Sequence, residues 1–333
     1  MRELVSSSLL AFFTAFFAVI GFAVGIIASL FILTIALKRL KSIEKRSLYK
    51  PVVLPDAQGV RKVLDTNSPI ILQVNIEGVI GGNHLNMGSI KDQLIESREG
   101  ELKNARVKAI ILNIHSPGGT VNDSHSIYEN LKEYKKRYGV PIYAYVDGLC
   151  ASGGMYVAAA ADAIYCRNSS LIGSIGVISF PYFNVSKTLN KWGVDSLTLS
   201  EGKGKDNLNP FRPWRPDEDK NHRDILRSYY KNFVNIIVEN RPITQEALID
   251  QYGAKIFTAE QAKEAGLVDQ YDLSLADTIK KVAEAVGLED EKYQVVQLKS
   301  KIWYPHLLTQ RFLEMIGKSS DTAFYEKNPF MYL

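Results

Sequence analysis

Cysteine is nearly absent: the 333 residues hold two, Cys150 and Cys166. They have neither C-x-x-C spacing nor a histidine-rich neighbourhood, which excludes a zinc site and a disulfide-dense secreted scaffold. No metal and no other cofactor is expected. Histidine is also sparse, at five residues: His84, His115, His125, His222 and His306. That leaves few bases for a Ser-His-Asp arrangement, and only His115 lies inside a motif. Charge of one sign is not in large excess. The net +4 owes much to Lys38, Arg39, Lys41, Lys45, Arg46 and Lys50, so a nucleic-acid partner is not expected. No internal repeat appears.

One long uncharged run is present. Leu9 to Leu37 is mostly Leu, Ile, Val, Phe and Ala. At about 1.5 Å per residue it exceeds the ~30 Å hydrocarbon core of a bilayer. The run predicts a single tilted transmembrane helix in a cell membrane; a signal peptide would have a shorter apolar core and a small-residue cleavage site. Gly21 and Gly25 form a GxxxG pair, a helix-packing face or simply the usual glycine of membrane helices. The basic cluster that follows suits anionic headgroups of a lipid bilayer. By the positive-inside rule it would also hold the C-terminal side in the cytoplasm, but the side of the membrane on which the domain lies stays open. The division expected is an anchor over 1–37, a basic linker over 38–68, one domain over 69–290 and a C-terminal extension over 291–333. Trp303, Tyr304 and Phe312 of that extension would dock on a neighbour or form a last strand and helix.

The most telling stretch runs from Asp147 to Asp162. Ile142 to Val146 reads as a strand and the alanine-rich Gly154 to Asp162 as a helix. Ser152 falls at their junction, beside free backbone N–H groups at the positive end of the helix. Gly153 and Gly154 remove side-chain bulk, so a carbonyl can approach closely. That suits a nucleophile and half of an oxyanion hole; it equally suits a serine that only caps a helix. Val107 to Ile114 reads as a buried strand ending at His115-Ser116-Pro117-Gly118-Gly119-Thr120. Ile127, Leu131, Tyr134 and Tyr138 then recur at helical spacing. Two strand-glycine-helix corners about 35 residues apart suit neighbouring crossover units, although Ser-Pro-Gly-Gly is also an ordinary turn.

Taken together, Asn113 to Gly119, Gly148-x-x-Ala151-Ser152-Gly153-Gly154 and Ile172-Gly173-Ser174-Ile175-Gly176-Val177 resemble the signal peptide peptidase A family in order and spacing. The resemblance spans roughly Pro69 to Asp272 and is to the single-domain members. It implies an α/β domain of the Clp protease and crotonase type, a spiral of ββα units, after one N-terminal transmembrane helix. It implies a serine peptidase with a Ser-Lys dyad acting on remnant signal peptides or other hydrophobic peptides. Ser152 matches the nucleophile. Lys205 in Gly202-Lys203-Gly204-Lys205-Asp206 matches the lysine, with Lys203 as rival and Gly204 where the family has a bulky residue. Ser174 matches the residue that hydrogen-bonds the amine. Gly153, with Gly118 or Gly119, would hold the oxyanion. The family also implies a homo-oligomer whose neighbouring protomers complete each active site.

A serine hydroxyl is a weak nucleophile until a base takes its proton, and lysine serves only as a neutral amine, which burial favours. Asp206, next to Lys205, would oppose that state by pairing with the amine, so it is expected to point elsewhere. Cys150 is not expected to be the nucleophile, because Ser152 holds the motif position. The alternatives are an acyl-CoA enzyme of the crotonase type and a catalytically inactive membrane scaffold of the same fold. Neither would need a Ser152–Lys205 pair.

Overall fold

The computed structural model describes residues 49–288 and 292–300 and, nearer the N-terminus, 21, 22, 24–26 and 29–34. The chain falls into two compact units, Met1–Leu48 and Tyr49–Leu333. In the first, the described residues are helical and exposed. Among the described residues no helix is long and apolar enough to cross a membrane. Most of the expected span over 9–37 lies outside them.

The second unit is a mixed α/β domain around one sheet. Its strands are β1 (Tyr49–Leu54), β2 (Ile70–Glu77), β3 (Val107–Ser116), β4 (Ile142–Ala151), β5 (Ala163–Cys166), β6 (Leu171–Gly173), β7 (Ile256–Thr258) and β8 (Gln294–Ser300). The order is β1-β8-β2-β3-β4-β6-β7, with β5 also paired to β4. The central pairs β8–β2, β2–β3, β3–β4, β4–β5 and β4–β6 are parallel. The outer pairs β1–β8 and β6–β7 are antiparallel. Parallel neighbours need crossovers, and helices α1 (Met87–Glu96) and α2 (Val121–Tyr138) supply the first two. Near-continuous apolar strands such as Ile70–Val74 and Ala109–Leu112 are buried because both sheet faces are covered. One face packs against α2 through Ile127, Leu131 and Tyr134. The other packs against α7 (Leu275–Ala285) through Ile279, Val282 and Ala283.

Two segments placed outside the domain by the sequence belong to its sheet. Residues 49–54, inside the expected linker, form β1; residues 294–300, inside the expected extension, form β8 between β1 and β2. β1 is a short edge strand interrupted by Pro51, so its pattern is masked by a residue that strands tolerate only at edges. Elsewhere the expected strands extend further: β3 runs to Ser116 and β4 to Ala151. After the short α4 (Ser186–Lys191), the long helix read around Ile225 to Ile237 is α5 (Lys220–Asn240). The capping box opening α6 (Ala259–Glu264) is formed by Thr258 and Gln261, each bonded to the other's backbone.

β4 changes partner midway. Tyr143 to Val146 pair with β5, and Leu149 to Ala151 pair with β6. Gly148 sits at the change with φ +106°, a conformation glycine adopts without strain. The shift carries the end of β4 toward β6 and sets the corner described next.

Candidate active site

Ser152 follows directly on β4 and precedes the short helix α3 (Gly153–Ala158). Its φ of 54° and ψ of −118° lie far from the left-handed well, where ψ is near +47°. A non-glycine residue held this way stores strain on the order of 1–3 kcal/mol, a cost that recurs at functional sites. Its side chain makes no capping hydrogen bond, so the helix-cap reading fails. The backbone is pinned on both sides: Ser152 N–H donates to Gly173 O at 2.8 Å, and Tyr156 N–H donates to Ser152 O at 3.0 Å. Side chain and backbone together are 4% exposed.

The neighbouring strand repeats the pattern. Ala151 pairs with Gly173, which places Ser174 one step beyond, alongside Ser152. Ser174 also has φ +54°, and its N–H donates to Lys255 O at 2.7 Å. A Cβ at Gly173 would strike that same Lys255 carbonyl. The two strained serines therefore lie side by side at the ends of β4 and β6.

The second glycine corner meets the first. Gly118, at φ +99°, lies so close that a Cβ there would fall 2.7 Å from Gly153 N and 2.8 Å from Ser152 Cβ. A Cβ on Gly153 would come within 3.2 Å of Gly119 N and would strike Ser124 Oγ. Gly119 is held by Ile80: Ile80 N–H donates to Gly118 O at 2.9 Å and Thr120 N–H to Ile80 O at 3.0 Å. Ser116 locks the turn from below, donating to Gly78 O at 2.7 Å and accepting Gly118 N–H at 3.1 Å. Gly118 N–H is thus occupied and is not an oxyanion donor as it stands. Gly119 N–H and Gly153 N–H have no acceptor among the described residues. Both lie beside Ser152.

Other expected residues fall elsewhere. His115 neighbours Ser116 on β3 and so faces the opposite side of the sheet. It is exposed, and its Nδ1 donates to Asp147 O at 2.6 Å, pegging β3 to β4. Cys150 and Cys166 are buried free thiols. Burial pushes both upward in pKa, Cys166 to about 12, so neither carries thiolate at neutral pH. Among the described residues no group of acidic, histidine or cysteine side chains is arranged to hold a metal.

Lys205 lies on an exposed turn, its N–H donating to Gly202 O at 3.1 Å. Lys203 is exposed on the same turn. Among the described residues no hydrogen bond joins Lys205 to Ser152 or Ser174. Asp206 does turn away from the amine. It accepts from Asn209 Nδ2 and from Arg212 Nε, each at 2.6 Å. The motifs do not single out Ser116, Ser124 or Arg212 as site residues. Ser124 is legible as the residue one turn after Thr120, whose carbonyl it caps at 2.8 Å.

A parallel α/β sheet with a strained serine at a strand-to-helix corner, flanked by two free N–H groups, defines a protein of the serine-hydrolase type of construction. The comparisons then agree with the motifs: residues 134–289 match the model of peptidase family S49. The matched stretch includes Ser152, Ser174 and Lys205. The chain is similar to a putative signal peptide peptidase SppA of Enterococcus faecium, 34% identical over 177 residues, 53% of this chain and 51% of that protein. It is similar to a putative protease of Methanocaldococcus jannaschii, 33% identical over 190 residues, 56% of this chain and 59% of that protein. The chain thus spans about half the length of these curated relatives. Among solved structures, a ClpP1 mutant from Listeria monocytogenes aligns over 62% of this chain and 93% of its own, at 16% identity and a TM-score of 0.42.

Proposed function

We propose that this chain is a membrane-anchored serine endopeptidase of the Clp protease and crotonase type of fold, cleaving remnant signal peptides or other hydrophobic peptides. The observation that carries the reading is the strained Ser152 set between two unoccupied N–H groups, at Gly119 and Gly153. Ser152 Oγ attacks the scissile carbonyl carbon while the neutral Lys205 amine takes its proton. The carbonyl oxygen, now negative, is held by Gly119 and Gly153 N–H, each worth on the order of 3 kcal/mol in the transition state. Collapse expels the amine product, which receives the proton from lysine. Water then hydrolyses the acyl-enzyme, with the lysine taking the water's proton and returning it to Ser152 Oγ. Ser174 orients the amine without adding a negative charge that would keep it protonated.

The lysine is supplied by a second copy of the chain. Its turn is exposed, and the segment leading to it leaves Ile178, Phe183, Trp192, Leu197 and Leu199 more than two-thirds exposed. An apolar stretch of that size favours a covering surface. Burial under a neighbour would remove the water that keeps an amine charged. The uncharged run over 9–37 and the basic residues after it support anchorage in a lipid bilayer.

A fluorophosphonate probe tests the nucleophile. Labelling should occur on Ser152 and vanish in Ser152→Ala; an acyl-CoA enzyme or an inactive scaffold would take no label there. Mixing inactive Ser152→Ala and Lys205→Ala subunits should restore peptide hydrolysis. A chain that is active as a monomer, with no complementation, would overturn the shared dyad. Retained turnover in Lys205→Ala with loss in Lys203→Ala would move the base to Lys203.

A further inference from the structure

The turn that bears Lys205 is closed by a chain of ionic hydrogen bonds that the proposed chemistry does not use. Asp206 Oδ2 accepts from Arg212 Nε and Asp206 Oδ1 from Asn209 Nδ2, both at 2.6 Å. Arg212 Nη2 also donates to the Asp206 carbonyl. Behind it, Arg212 Nη1 meets Glu218 Oε1 at 2.7 Å. Glu218 is 5% exposed, accepts Leu208 N–H at 3.0 Å and pairs with Arg215 at 2.7 Å. Arg215 stands 4.0 Å from Asp206 as well. Both oxygens of Asp206 are therefore committed, although this carboxylate is the sequence neighbour of the amine that must lose its charge.

We infer that Arg212, braced by Glu218, is a positioning residue that sequesters the Asp206 carboxylate from the Lys205 amine. The inference rests on Lys205 being the base. A carboxylate that reached the amine would favour its protonated form, by about one unit or more in pKa at close range. The other charged groups on the turn are Glu201 and Lys203, both exposed; the groups proposed to receive the amine, Ser152 and Ser174, are uncharged. Arg212 fills the carboxylate's hydrogen-bonding capacity with a permanently charged, multidentate partner. Among the described residues the amine has no ion-pair partner.

The test is the pH profile of the full-length protein in detergent micelles, with fluorescein-labelled casein as substrate, from about pH 6 to 10. Arg212→Met should move the rising limb of kcat/KM upward by about one pH unit, with about a tenfold loss near pH 7 and recovery at high pH. The double variant Arg212→Met/Asp206→Asn, which has no carboxylate to release, should return the limb to the wild-type position. Arg212→Lys keeps the charge but not the planar fork, and should give a smaller shift; it serves if Arg212→Met does not fold. A uniform loss at every pH, with no return in the double variant, would show that Arg212 only shapes the turn and would overturn the inference. Normal turnover in Lys205→Ala would instead remove the base itself, a failure of the underlying reading that is seen without any Arg212 variant.

Discussion

Ser152 and Ser174 both carry a positive φ, +54° at each, at the ends of adjacent strands. At Ser152 the side chain makes no capping hydrogen bond to the helix that follows. The glycines around it are there for proximity. Gly153 is the sharpest case, since its Cα faces Ser124 Oγ and the Gly118–Gly119 turn. Gly153→Ala should therefore push the turn away from the serine and lower the peptidase rate by about a hundredfold, as small misplacements of reacting groups do. Adding Ser124→Ala removes the hydroxyl that the new methyl would strike, and should recover part of the loss. Kinetics on the single and double variants check this; no recovery would mean that the glycine matters through Gly119 alone. The serine and its glycines are legible in the sequence because two strand-glycine-helix corners recur in one chain and both fall on the motifs of the family it resembles. The choice between Gly118 and Gly119 is not legible there. It depends on Ser116 Oγ consuming the Gly118 N–H, a contact between residues whose identities name no role.

Among the elements, the segment from Gly202 to Glu218 behaves as a loop with its own small framework. Glu218 is the keystone. Burial pushes its carboxyl upward, but hydrogen bonds from Arg215, Arg212 and the Leu208 N–H outweigh this and hold it down at about 2. A carboxyl lowered on folding contributes order above its unfolded value near 4.3 and loses it as the pH falls toward 2. Protease cleavage within the loop should thus accelerate between roughly pH 4.5 and 2, and Glu218→Gln should show the fast cleavage already at neutral pH. Limited proteolysis with pepsin at low pH and trypsin at neutral pH reads both. Equal cleavage of wild type and Glu218→Gln at neutral pH would exclude the keystone role. The family resemblance finds Lys205 in this loop by its spacing from Ser152, and simple electrostatics foresees that Asp206 turns away. The brace is invisible at that level, because Arg212, Arg215 and Glu218 read individually as ordinary surface charge. Ion-pair partners three, six and nine positions apart in a loop follow no periodicity.

At the scale of the whole molecule, the sheet is longer than the motifs suggest. The motifs lie on β3, β4 and β6, so a domain bounded by residues 69 and 290 looks sufficient from the sequence. Yet Tyr293, Val295, Val296 and Leu298 are buried, and each such side chain is worth about 1.5–3 kcal/mol. Their sum approaches the entire margin, roughly 5–15 kcal/mol, that separates a typical folded domain from its unfolded state. A chain ending at residue 290 should accordingly show no cooperative thermal transition, whereas one beginning at Tyr49 and ending after Ser300 should melt as a unit. Circular dichroism during heating distinguishes them. A cooperative melt in the shorter chain would mean that β8 merely decorates the sheet. The strand pair hides from sequence reading for a plain reason: β1 and β8 are each too short and too polar at their ends to announce a partner, and nothing local links them.

That pairing joins Tyr49 to Ser300 in register, and it sets an order of events during synthesis. β1 leaves the ribosome early, but its only sheet neighbour among the described strands is β8, made last of them. At roughly 5–20 residues per second the first strand waits on the order of ten to fifty seconds for its mate. Throughout that interval the nascent chain exposes an unpaired edge at β2 as well, since β8 sits between the two. Under the proposed sharing of Lys205 between copies, a chain whose β8 is not yet made would have no closed sheet to present to a neighbour. The position of β8 therefore sets the earliest moment at which the sheet can close.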